Sequence, residues 1–197
     1  MKVFKHLLLF IICFIASLFL CMYIFDDILI RVTLSEYVYL IARIFLSIVL
    51  YFLVISISNK KVSKRQINII AVLYIICIIS VTFFKGMYGG GVSGLNFNPL
   101  QIIRDFKLSS NTTLLIIGNV FAYVPIGIYI KYVSRIKNIK LYCYFILYCL
   151  IIESIQYIFK LGSFDINDII MNSAGFIIGV IIYMNIIKIR GDLKRKT

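Results

Sequence analysis

Apolar residues come along this chain in six long runs, with neither the alternation of a half-buried strand nor the narrow stripe of a soluble amphipathic helix. The runs are Leu7 to Phe25, Tyr37 to Ile57, Ile67 to Phe84, Thr113 to Tyr132, Leu141 to Phe159 and Ile166 to Ile187, most of them Ile, Leu, Phe and Tyr throughout. A membrane-crossing helix needs about 20 mostly apolar residues, because each adds about 1.5 Å toward a hydrocarbon layer of about 30 Å. Hydrocarbon offers no partner to a bare peptide group, so runs of this length must satisfy their own backbones as helices. The pattern predicts an all-α polytopic membrane helical bundle of about six transmembrane helices.

Composition agrees: 62% of the 197 residues are hydrophobic and the mean hydropathy is +1.01, so the solvent to reason about is the bilayer. The net charge of +13 raises the question of nucleic acid, but the bases lie in short clusters between apolar runs and form no continuous stripe. The clusters are Lys60, Lys61, Lys64 and Arg65, then Lys131, Arg135, Lys137 and Lys140, then Lys188, Arg190, Lys194, Arg195 and Lys196. With Lys2 and Lys5 they mark every second connection as internal, which predicts both termini in the cytoplasm. The acidic residues Asp26, Asp27, Glu36, Asp105, Glu153, Asp165 and Asp168 fall in or near the other connections. The expected setting is a bacterial plasma membrane, crossed several times, with the lipid bilayer as the main partner and no nucleic acid. Cys13, Cys21, Cys77, Cys143 and Cys149 all lie within apolar runs, and His6 is the one histidine, which argues against a disulfide frame or a zinc site. The opening basic residues imitate a signal peptide, yet the run continues to Phe25 with no clear small-x-small cleavage site, so it reads as the first span.

Three segments follow: residues 1–84, a three-helix extension and part of the bundle; residues 85–112, an outer loop; and residues 113–197, the core helices. In the loop, Gly89-Gly90-Gly91 precedes Asn98, a good N-cap, and Pro99, a good first helical residue. Leu100, Ile103 and Phe106 then share one helical face, so a short amphipathic helix on the outer surface is expected, with a solvated loop as the alternative.

The polar residues inside the runs are the expensive ones. Asn119 lies in the fourth run, ahead of Pro125 and Gly127, which together read as a packing kink. Glu153 and Gln156, three residues apart, leave one face of the fifth helix. A carboxyl at that depth costs about 2.5 kcal/mol or more unless it is paired or protonated, and Arg43 of the second run is a candidate partner. In the sixth run Asp165, Asp168 and Asn172 stand at i, i+3 and i+7, and Gly175 with Gly179 continues that side as a small-residue surface. Capping alone would account for Asp165 as an N-cap and Asp168 as an acid in the first turn, but not for Asn172.

On the predicted topology Asn119, Glu153, Gln156, Asp165, Asp168 and Asn172 all fall in the outer third of the membrane. Such a set would bind a cation or a cationic or peptide-like group, or do acid/base work on a lipid-linked substrate. It contains no serine, cysteine or histidine placed as a nucleophile with its base, which speaks against covalent catalysis. Nothing in it specifies a cofactor.

The segments Asn96-Phe97-Asn98-Pro99-Leu100, Asn119 with Val124-Pro125-Ile126-Gly127, Glu153-Ser154-Ile155-Gln156, and Phe164-Asp165-Ile166-Asn167-Asp168 leading to Asn172 and Gly175 form an ordered set. It resembles the VanZ-like family of bacterial membrane proteins over about Asn96 to Tyr183. The resemblance implies a cell-envelope setting and tolerance to teicoplanin-type glycopeptides, with the first two spans added ahead of the family core. Family members often carry an arginine before the aspartate pair and an acid at the position of Asn167; this chain has Gly162-Ser163 there instead. The combined expectation is an outward-facing polar pocket that binds or modifies an envelope component, such as a lipid-linked one. Glu153, Asp165 and Asp168 would be its charged, candidate catalytic groups, and Asn96, Asn98, Asn119, Gln156 and Asn172 its substrate-binding amides. A non-catalytic scaffold and a small-solute transporter are the alternatives; a transporter would call for polar groups near the midplane and internal repeats, which the sequence does not show.

Overall fold

The computed structural model of the protein describes residues 2–26, 36–87, 94–99 and 110–196. Its helices are α1 (Lys2–Leu20, continued by a π-helical turn, Cys21–Phe25), α2 (Glu36–Ser58), α3 (Lys64–Met87), α4 (Ser110–Val133), α5 (Asn138–Ile158) and α6 (Ile166–Lys196). Two short strands, β1 (Leu95–Asn96) and β2 (Phe164–Asp165), pair in parallel, Leu95 opposite Phe164 and Asn96 opposite Asp165. Six helical stretches are long and apolar enough to cross a membrane: Phe4–Ile24, Glu36–Ser58, Lys64–Phe83, Ile116–Val133, Asn138–Ile158 and Ile166–Ile189. They coincide with the six apolar runs, and the fold is the expected all-α polytopic one. The short surface helix expected around Leu100 to Phe106 lies outside the described residues.

The chain divides into two compact units, Met1–Gly91 and Val92–Thr197. In the first, α1 packs on α2 and α2 on α3. Cys13, Ser17 and Cys21, spaced one turn apart, are buried on α1, as are Val38 and Ser47 on α2; small side chains at this spacing let helices approach closely. Ser17 and Ser47 donate to the carbonyls of Phe14 (2.8 Å) and Ile44 (2.7 Å), so each hydroxyl is satisfied within its own helix. At the end of the π-helical turn Asp26 forms an ion pair with Arg43, 2.8 Å between Oδ2 and Nη2. The expected pairing of Arg43 with Glu153 is thereby corrected: a carboxylate within the same unit takes the guanidinium.

The connection between α2 and α3 is built from two standard devices. Lys60, with φ of 49°, ends α2 in a Schellman turn, Lys61 N–H donating to Ser56 O (3.1 Å) and Lys60 N–H to Ile57 O (3.2 Å). Ser63 and Gln66 then open α3 with a reciprocal capping box, Ser63 N–H to Gln66 Oε1 at 2.8 Å and Gln66 N–H to Ser63 Oγ at 3.2 Å.

In the second unit α4 and α6 cross at backbone contact. A Cβ added to Gly175 would overlap the Val120 carbonyl, one on Gly179 the Val124 carbonyl, and one on Gly127 the Phe176 carbonyl. Three glycines therefore make the crossing possible, with Gly175 and Gly179 a turn apart on α6. Helix α5 closes the group through aromatic rings: Phe145 stacks on Phe176 at 4.1 Å between centroids and meets Tyr123 edge-on at 5.4 Å. Pro125 lies inside α4 on an exposed face; the helix runs through it, although the Phe121 carbonyl loses its usual donor.

Candidate functional site

The polar residues of the second unit meet where β1, the end of α5 and the start of α6 come together. The end of α5 is a second Schellman turn, with Lys160 at φ 55° and Leu161 N–H donating to Gln156 O at 2.8 Å. That turn sends the chain into β2, whose pairing with β1 is extended by Phe164 N–H donating to Gly94 O at 3.0 Å. The Phe97 and Phe164 rings pack 5.5 Å apart over it. Two residues per strand make a weak sheet, but they suffice to set Asn96 beside Asp165.

Asp165 is the hub. Its Oδ1 accepts the Asn167 N–H (2.8 Å), the bond of an N-cap to the second helical residue; its Oδ2 accepts from Asn96 Nδ2 (3.0 Å); and its own N–H donates to Glu153 Oε2 (3.1 Å). Glu153 is only 3% exposed, so its carboxyl is held inside the unit and not presented to lipid. Asn96 Oδ1 in turn accepts the Asn98 N–H (3.1 Å), and the Asn98 carbonyl accepts from Asn167 Nδ2 (3.2 Å). Asp168, in the first turn of α6, accepts at Oδ1 from Asn119 Nδ2 (2.8 Å), which ties α4 to the same place.

The structure thus brings Asn96, Asn98, Asn119, Glu153, Asp165 and Asp168 together. The Gln156 amide lies beside Gly162. Asn172 is one turn deeper on α6 and outside the network: it is 8% exposed and its Oδ1 has no hydrogen-bond partner. Of Asp165, Asp168 and Asn172, the first precedes the helix as its cap, as the capping alternative has it, and the other two project from helical turns. Asn167 was missed. It is 5% exposed and joins the β1 segment to the helix start; its place between two aspartates at a helix N-terminus was the available signal. Among the described residues no group of three or more His, Cys, Asp or Glu side chains is arranged to hold a metal ion. The arrangement offers carboxylate and amide oxygens at the start of one helix, near the end of another and on a strand, suited to accepting hydrogen bonds or a proton.

The stretch carrying all these residues is also the one that matches known proteins: the VanZ/LLP1 family model covers residues 71–188, more than half of the chain. The chain belongs to the VanZ/LLP1 family. It is similar to Protein VanZ of Enterococcus faecium, 27% identical over 120 residues that make up 56% of this chain and 69% of the relative. No solved structure matches it. The VanZ-like match begins within α3, so α1 and α2 lie ahead of it, and every residue of the hydrogen-bonded cluster lies within it.

Proposed function

We propose that this VanZ-like protein sits in the bacterial plasma membrane with both termini in the cytoplasm, and that its cluster around Asp165 is an outward-facing site that binds or modifies a cell-envelope component. Tolerance to teicoplanin-type glycopeptides would follow in a susceptible host. The supporting observation is the burial of Glu153 against the Asp165 N–H. A carboxyl kept in a membrane helix at that cost is a functional feature by default. In this reading Glu153, Asp165 and Asp168 exchange a proton or take a cationic group, while Asn96, Asn98, Asn119, Gln156 and Asn172 orient the ligand. The alternating basic connections support the topology.

A scaffold reading has an observation of its own in its favour: Asp165 caps α6 and Asp168 takes the Asn119 amide, both structural uses. Expression in a susceptible Gram-positive host separates the two. Teicoplanin tolerance is compared for wild type, Glu153→Gln and Asp168→Asn at membrane abundance matched by blotting. Loss of tolerance in the variants supports the site; tolerance kept by Asp168→Asn, which preserves shape and an acceptor for Asn119, supports the scaffold. No tolerance from the wild type removes the resistance reading.

A further inference from the structure

The first unit carries an open groove of about 460 Å³. It lies between α2 and α3 at their connected ends. Its lining is mostly apolar, with Val49, Phe52, Leu53, Ile57 and Ile70 in it, and also includes Lys60 and Lys61. Leu53 (49% exposed), Ile57 (68%) and Val62 (59%) remain accessible along it. Both lysines are exposed. The candidate spans end at Ser58 and begin again at Lys64, which puts the apolar walls at hydrocarbon depth and the ammonium groups at the headgroup level.

We infer that this groove is a binding site for one anionic diacyl phospholipid, its acyl chains along the α2 and α3 walls and its phosphate at Lys60 and Lys61. A greasy slot open to hydrocarbon selects acyl chains, and the two ammonium groups select a negative headgroup over a zwitterionic one. The Schellman turn holds Lys60 in a left-handed conformation, which fixes the direction in which the chain presents both lysines and distinguishes them from a floppy basic tail. The capping box fixes Gln66, another residue of the groove lining, at the start of α3.

The test titrates the full chain, purified in a mild detergent, with phosphatidylglycerol or phosphatidylcholine and reads retained lipid by native mass spectrometry. The expected result is one tightly held phosphatidylglycerol, with weaker retention of phosphatidylcholine. Lys60→Gln with Lys61→Gln should weaken that retention by about fivefold per lysine, whereas Lys137→Gln with Lys140→Gln, two bases of the second unit, should leave it unchanged. Ser56→Phe, which fills the groove and keeps its charges, should remove the retained lipid. Circular dichroism confirms that each variant keeps its helices. Equal retention of the two lipids, an equal loss from either lysine pair, retention untouched by Ser56→Phe, or displacement by inorganic phosphate alone would each overturn the assignment.

Discussion

In the first unit Ser17 and Ser47 turn back onto carbonyls three residues away, whereas in the second Asn96 reaches Asp165 and Asn167 reaches Asn98 across 69 positions of sequence. Burial leans the same way: 17, 6 and 6% of the α1, α2 and α3 spans are buried, against 17, 22 and 33% of the α4, α5 and α6 spans. A hydroxyl satisfied within its own helix asks no hydrogen bond of its neighbours, although the first unit also has the Asp26–Arg43 pair between its helices. A helix start whose caps come from another segment is stable only when the whole unit is assembled. The family match takes in all of the second unit's cluster and leaves out α1 and α2.

The comparison can be broken most severely at the α4–α6 crossing. Gly175→Ala puts a methyl group into the Val120 carbonyl and should cost about 3 kcal/mol, the upper range for overpacking. Gly118→Ala, on α4 with open space around it, should be neutral or gain up to about 1 kcal/mol. Thermal unfolding in detergent measures both, and equal effects would deny the close crossing. Next, Asp165→Ala removes the cap of α6 and the acceptor of Asn96 together and should cost about 2 kcal/mol, with thermolysin cleavage between α5 and α6 rising in step. In the first unit Arg43→Gln loses a charge-assisted bond between side chains that are 30% and 19% exposed, and about 1.5 kcal/mol is expected. Smallest is Lys160→Gly, which relieves a left-handed φ of 55° and should raise stability by roughly 0.5 to 1 kcal/mol.

The six spans were legible because the bilayer imposes a length and an apolar content that each helix must meet by itself. The gathering of Glu153, Asp165, Asp168 and Asn119 was legible for a related reason: polar groups in apolar runs at similar depth have few partners but one another. Less could be read where the outcome depends on how distant segments meet. The pairing of Leu95 and Asn96 with Phe164 and Asp165 involves two residues per strand, too few for any period to appear. Asn167 stands out in the sequence only as a departure from the family pattern, and its role appears once that pairing sets its amide against the Asn98 carbonyl. Arg43 is a candidate partner for Glu153 in the sequence, while the π-helical turn carries Asp26 to it within the same unit. Asn172 looked like a continuation of the stripe, but the close α4–α6 crossing buries it without a hydrogen bond to its oxygen.

Glu153→Gln is the sharpest probe of the whole account, because the amide oxygen can still accept the Asp165 N–H while the ionisable carboxyl is lost. At matched membrane abundance and unchanged melting temperature, the account predicts that cells carrying this variant become as sensitive to teicoplanin as cells without the protein. Protection equal to wild type would mean that the carboxyl does no more than brace the helices.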